Sequence, residues 1–295
     1  MAEEIAVVIT CYNYGKYVGK AIRSCQEQTT PVSEIIVVND GSSDDSDAVI
    51  RSFADSDPRI HYIQQSNQGQ AKAKNIGIAA SKSALIAFLD GDDWWENNKI
   101  ALQLPLFNDP KVGVVYSRAS YVDENNQTLD ITLDSKTLSP RNGYVCNEMF
   151  MDNFVPFSSS VVRRTCFTTF GVFDESLKMG IDWDLWLRIS TSWHFAFVDE
   201  PLLIYRVGHS GQMSKNAEER MRCSDRIMNR FLERYPASIT PQTKRLAQAF
   251  TWNNRGYFYS HSDRIKAFGF YLRSIRSYPY QLTAFINMLK LILRH

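Results

Sequence analysis

The sequence predicts an α/β protein: a mostly parallel central sheet with helices on both faces, followed by a C-terminal helical region. Three observations carry that reading. Strand-like and helix-like segments alternate from residue 5 to residue 116, the pattern of βαβ units. Ile35, Ile36, Val37 and Val38 form an unbroken apolar run, which marks a parallel strand covered on both faces. From Lys215 the texture is helical, divided by Pro236, Pro241 and Pro279 into three or four helices.

In order, residues 5–10 read as a strand by their β-branched content and 17–28 as a helix. A second strand covers 34–38, and a helix follows near 45–54. Residues 60–64 and 70–80 give the third strand and helix, 84–89 and 96–107 the fourth pair, and 112–116 a fifth strand. The alternation then stops. Residues 120–142 are rich in Asp, Asn, Thr and Ser and read as a long loop. A strand is expected at 158–162, a helix at 182–190, and short strands at 195–198 and 202–205. Two domains are expected, 1–214 and a basic helical region, 215–295.

The net charge of +1 hides an asymmetry. Residues 215–295 hold 15 Lys/Arg and 5 Asp/Glu, a net of +10, which leaves −9 on residues 1–214. A basic region suits nucleic acid, anionic lipid, an acidic polymer, or only solvent on a helical face. The five cysteines are scattered, with no CxxC or other metal-ligand spacing, and read as thiols of a reducing compartment. Met1-Ala2-Glu3-Glu4 runs straight into a strand, so no signal peptide is expected. No apolar run approaches 18 residues, and the expected location is cytoplasmic. There is no GxGxxG after the first strand, no P-loop and no GxSxG. Their absence argues against a dinucleotide oxidoreductase, a P-loop ATPase and a serine hydrolase.

The chemistry concentrates at strand ends, where ligands of such sheets bind. The strand at 84–89 runs into Asp90-Gly91-Asp92-Asp93, three carboxylates in four residues. Adjacent carboxylates repel and raise each other's pKa. A hard divalent cation relieves that, and Mg²⁺ or Mn²⁺ takes one or two carboxylates together with phosphate oxygens. A polar turn with an Asp helix cap is the plainer alternative. The second strand ends in Asn39-Asp40-Gly41, where Gly41 permits a tight turn. Asp40 can accept the N3–H of uracil or thymine, which cytosine lacks, or close an Asx-turn. Thr10 and Tyr12 end the first strand, and a Tyr ring there can stack on a base or simply pack. Residues 67–75 open a helix with Gly69 and Lys74, a setting that suits a phosphate.

Taken together and in order, VVITCYNYGKYV, IIVVNDGSSDDS, NQGQAKAKNIGIAAS, ALIAFLDGDDWW and GIDWDLWLRI resemble the family 2 glycosyltransferases of GT-A fold. The resemblance covers residues 5–210, about two thirds of the chain. It implies a nucleotide-sugar donor, a divalent metal and inversion at the anomeric carbon. By the match, Thr10, Tyr12 and Asp40 hold the base. Asp90 and Asp92 are the ends of the DxD metal motif, and Asp182 is the general base. The family's usual Glu before that Asp is Ile181 here, and its usual Arg in the third block is Lys74, a point charge rather than a bidentate fork. Asp182 also suits an N-cap, and Asp184–Arg188 an i,i+4 pair. Tyr205-Arg206-Val207-Gly208-His209 resembles the segment after the family's last core strand, with His209 a third metal ligand or a phosphate contact.

The resemblance therefore implies transfer of a sugar from a UDP- or dTDP-sugar to a hydroxyl of a saccharide or lipid-linked acceptor, in bacterial surface polysaccharide or glycolipid synthesis. Mg²⁺ or Mn²⁺ is the expected cofactor, and no nucleic acid is expected as partner. A non-catalytic nucleotide-sugar-binding or membrane scaffold, and a sugar-phosphate nucleotidyltransferase, are the other readings. Residues 282–294 are apolar enough for an interfacial helix and too short to span a bilayer. Peripheral attachment to an anionic membrane is expected through the residues after about 260, with internal packing or a homo-oligomer as the alternative.

Overall fold

The computed structural model describes residues 4–130, 141–208 and 216–293. Two compact units divide the chain. The first comprises Met1–Val145 and Phe154–Phe231, the second Cys146–Asn153 and Leu232–His295.

The first unit is built on one sheet. Its strands among the described residues are β1 (Ile5–Cys11), β2 (Glu34–Asn39), β3 (Ile60–Gln64), β4 (Leu85–Asp90), β5 (Trp94–Trp95), β6 (Val112–Val122), β7 (Thr128–Leu129), β8 (Val161–Arg163) and β9 (His194–Arg206). The order is β3-β2-β1-β4-β8-β6-β9-β5, with β7 on β6. Strands β1 to β4 are parallel, as are β6 and β9; β8 and β5 run antiparallel to their neighbours. The helices among the described residues of both units are α1 (Gly15–Gln26), α2 (Ser46–Ala54), α3 (Gln70–Ala80), α4 (Lys99–Gln103), α5 (Cys146–Met151), α6 (Arg164–Phe170), α7 (Ile181–Ser190), α8 (Ala217–Arg234), α9 (Pro241–Tyr259), α10 (Arg264–Ser277) and α11 (Leu282–Leu293).

Every residue of β1 is buried, as are the last five of β2, which is what two-sided cover of a parallel strand requires. Ile9, Ile22, Ile35, Val37, Leu85 and Leu89 lie in the main core cluster, while Ala6, Ile36, Val38 and Ala73 form a smaller one. Helix α3 approaches β1 closely because Gly77 has no side chain: a Cβ there would stand 2.3 Å from Val8 Cγ1. None of the five cysteines forms a disulfide, and all are buried.

Several elements differ from the sequence reading, among them the strand expected at 158–162, which is a 3-10 turn at Phe157–Ser159 followed by β8. The helix expected at 96–107 is five residues of α-helix followed by a 3-10 turn at Leu104–Asn108, with Pro105 in its first turn; proline supplies no N–H to continue an α-helix. The fifth strand runs on past 116 into the first residues of the expected loop, to Val122; residues 131–140 of that loop lie outside the described residues. The two short strands expected after 194 are one strand, β9, which pairs with β6 along its length. Irregular register at Ser117, Arg118 and Ala119 absorbs the Asp199–Pro201 stretch, as a bulge does.

In the second unit, α5 packs on α9, α9 on α10, and α10 on α11. Trp252, Phe270 and Tyr259 stack with centroids 5.8 and 5.7 Å apart. Ala267, Tyr271 and Leu291 form the core, with Tyr259 and Met288 against it. Among the described residues, no helix is long and apolar enough to cross a membrane.

Candidate active site

The carboxyl ends of β1, β2 and β4 lie side by side, since Cys11 pairs with Asn39 and Thr10 with Asp90. The sequence-predicted residues of three separate segments therefore meet. Lys74 Nζ, only 3 % exposed, donates to Asp90 Oδ1 at 2.8 Å and to Thr10 Oγ1 at 3.1 Å. Thr10 Oγ1 in turn lies 3.2 Å from Asp90 Oδ1. Lys74 thus binds the first carboxylate of the acidic motif, and its ammonium lies 4.7 Å from the Phe157 ring centroid.

Asp40 follows β2 and is almost fully buried at 4 %. Its Oδ1 accepts Gln65 Nε2 at 2.5 Å and the Gln68 N–H at 2.8 Å; Oδ2 accepts the Gly69 N–H at 2.9 Å. It thereby anchors the start of α3. An ionised carboxylate offers about four acceptor positions, so Oδ2 retains capacity for a further donor. Tyr12 stands beside it, because the Asp40 N–H donates to the Cys11 carbonyl at 2.8 Å; its ring is 47 % exposed. Gly41 adopts φ +75° in the turn that follows.

The acidic loop is held from several sides. Gly91 N–H bonds the Thr10 carbonyl at 2.9 Å. Ser158 Oγ accepts Asp90 N–H at 3.1 Å and donates to Asp93 Oδ2 at 2.7 Å. Asp93 Oδ1 accepts the Arg206 N–H at 3.0 Å. Burial, and then the charges of Asp92 and Asp90, push the Asp93 carboxyl well above the usual carboxylate range, against the bonds from Ser158 and Arg206. Tyr14 donates to Asp92, and burial together with Asp92, Asp90 and Asp93 raises its phenol. In both cases burial is the larger cause and the neighbouring carboxylates add to it.

Sequence reasoning missed Ser158, Tyr14 and Arg206 as parts of this site. Arg206 is buried; its Nε donates to the Asp92 carbonyl at 3.1 Å, and its terminal nitrogens reach Asp123 O, Glu124 O and Asn126 Oδ1. The guanidinium lies 4.3 Å from the Tyr17 ring centroid. One signal was available: an arginine closing the apolar run Leu202–Tyr205 needs a strong polar environment to be buried.

Asp182 is the second residue of α7, half-buried, and the position before the helix is Gly180. Asp182 is therefore a first-turn acid rather than the cap, where the helix dipole favours negative charge. Trp186, one turn on and on the same helix face, lies 6.4 Å centroid to centroid from Phe157, the ring over Lys74. That packing ties Asp182's helix to the acidic loop. Asp184 and Arg188 form the expected pair at 2.8 Å, and Arg188 also donates to Phe170 O and Val172 O. His209 lies outside the described residues.

The metal expectation can be weighed against this donor set. Among the described residues, no group of three or more His, Cys, Asp or Glu could hold a metal ion. The carboxylates of Asp90 and Asp92 are oxygen donors of the kind a hard divalent cation takes while it completes its shell with substrate phosphates, with Lys74 already on Asp90 Oδ1.

The sequence model described as glycosyl transferase family 2 matches residues 6–165. The chain belongs to that family. It is 29% identical over 235 residues to an uncharacterized glycosyltransferase of Rickettsia typhi, covering 78% of this chain and 72% of the relative. It superimposes on S. aureus TarS 1–349 with a TM-score of 0.66 at 15% identity, covering 98% of this chain and 88% of that one. The TarS 1–349 complex with UDP-GlcNAc gives a TM-score of 0.64 over 98% and 90% of the two chains. At that identity the likeness speaks to the fold, which is the GT-A fold of this glycosyltransferase.

Proposed function

We propose that this glycosyltransferase moves a sugar from a UDP-sugar, or a dTDP-sugar, to an acceptor hydroxyl with inversion. The observation that carries the reading is the junction at the ends of β1, β2 and β4. An aromatic ring and a buried carboxylate, Tyr12 and Asp40, stand on one side of Thr10 and the acidic loop on the other. The UDP-GlcNAc complex of the TarS neighbour supports a uridine donor.

In this reading Tyr12 stacks on the base and the remaining Oδ2 position of Asp40 accepts its N3–H. Asp90 and Asp92 would hold Mg²⁺ or Mn²⁺, which when bound neutralises charge on the diphosphate leaving group. Lys74 contributes to donor binding through Asp90: its ammonium fixes that carboxylate by Oδ1, which leaves Oδ2 for a further partner. Asp182 takes the acceptor proton as the oxygen attacks the anomeric carbon on the face opposite the leaving group. Inversion needs that single base. The acceptor we propose is a saccharide or a lipid-linked sugar of bacterial surface polysaccharide or glycolipid synthesis.

Two measurements test this. A panel of UDP- and dTDP-sugars should show metal-dependent donor hydrolysis, and calorimetry should show UDP binding more tightly than CDP. Equal affinity for UDP and CDP would refute the role of Asp40, and no turnover of any such donor would refute the donor class.

A further inference from the structure

Helix α11 turns its apolar side outward. It buries Ala284 and Leu291 in the second unit, yet Leu282, Phe285, Ile286, Leu289, Ile292 and Leu293 are each between 40 % and 71 % exposed. Those positions recur at helical spacing and form one continuous stripe. Helix α10 runs antiparallel beside it. Arg264 Nη2 donates to the Leu291 carbonyl at 2.8 Å at one end, and Ser274 Oγ meets Gln281 Oε1 at 3.4 Å at the other. Ile265, 88 % exposed, and Phe268 therefore sit at the same end as Leu289, Ile292 and Leu293. So much exposed apolar side chain on one helix, with more at the same end of its neighbour, marks an interaction site.

The charge around the stripe selects the occupant. Residues 264–295 contain six Lys/Arg and no Asp or Glu. Arg273, Arg276 and Lys290 are exposed, and Tyr280 at the α10–α11 turn is 82 % exposed. A second copy would match the stripe but leave that one-sided charge uncompensated, because it repeats it. An anionic bilayer satisfies both: acyl chains take the stripe, headgroups the cations, and tyrosine suits the boundary. With 12 residues, α11 spans about 18 Å, too short to cross the hydrocarbon core and suited to lying in its surface.

We propose that α11, assisted by the adjoining end of α10, is an in-plane anchor to anionic membrane lipid. The proposal uses residues of the second unit alone and stands or falls separately from the donor and base assignments. The test is co-sedimentation of the full chain with vesicles of phosphatidylcholine alone and of phosphatidylcholine with phosphatidylglycerol, alongside light scattering to follow oligomeric state. Binding should require the anionic lipid and weaken with salt. Ile286→Glu/Leu289→Glu changes only exposed side chains, so circular dichroism should be unchanged while vesicle binding falls at least about tenfold. Arg276→Gln should lower it about fivefold, the loss expected for one cation at the surface. Indifference to phosphatidylglycerol, or unchanged binding by the double variant, would overturn the proposal. So would a dimer broken by the same variant without vesicle binding, which would assign the stripe to a second copy.

Discussion

Lys99 offers a quantitative test of the core beneath the site. Its ammonium is fully buried, donates to Gln103 Oε1 at 2.7 Å, and lies 3.9 Å from the Trp95 ring centroid. Burial pulls its pKa from 10.5 down to about 7, with Cys25 opposing slightly. Between those values the unfolded chain binds the extra proton, so stability rises with pH from 7 toward 10.5 and is flat below 7. The relation gives a penalty of roughly 4 kcal/mol at pH 7 and roughly 2 kcal/mol at pH 9. Lys99→Met keeps the length and apolar stem and removes that penalty, but leaves Gln103 Oε1 without its donor, a loss of roughly 1–3 kcal/mol. The variant should be more stable than the parent at pH 7, and the difference should shrink by about 2 kcal/mol by pH 9. Cys25, whose thiol burial raises to about 12, is present in both proteins and cancels. Urea denaturation of the pair at pH 7, 8 and 9 checks this. A difference independent of pH would mean that Lys99 is charged within the fold and the reasoning is wrong.

Three further outcomes are expected. Asp182→Asn should leave thermal unfolding and donor affinity near the parent's while transfer falls by roughly 10² to 10⁴; loss of donor affinity instead would assign Asp182 a different role. Asp92→Asn should lower turnover at least about a hundredfold, and the parent should lose activity in excess EDTA; full activity there would rule out the metal. Gly77→Ala places a Cβ 2.3 Å from Val8 Cγ1 and should destabilise by about 1–3 kcal/mol in urea unfolding, and an unaltered midpoint would contradict the packing of α3 on β1.

The first half of the fold was legible because its signals are local. The buried run at Ile35–Val38 and the helix at Gln70–Ala80 lie where periodicity and composition put them. The pairing of Thr10 with Asp90 is of another kind, because β4 returns past β2 and β3 to lie beside β1 and no local pattern specifies that. What was not legible depends on partners distant in sequence. Strand β6 continues through a polar stretch to Val122 because β9 supplies its ladder. Residues 146–151 look like part of the first unit by position but pack on α9. Ser158 reads as the start of a strand, and its bonds to Asp90 and Asp93 exist only once the 3-10 turn at Phe157–Ser159 sets it there. The position of Lys74 was evident, but its partner was not: burial directs the ammonium to Asp90.

Asp40 and Asp90 are joined by one rigid body. Asp40 grips the N–H groups at the start of α3, and five residues beyond Gly69 the same helix delivers Lys74 to Asp90. At about 1.5 Å per residue, that fixes a rise of about 7–8 Å between the two attachment points, set by helix geometry and insensitive to loop length. The helix acts as a ruler between the two carboxylates. Insertions in the loops around it can reshape the acceptor side without altering that spacing, whereas a residue added or removed between Gly69 and Lys74 would rotate the lysine by about 100° off its target and disconnect the two ends at once.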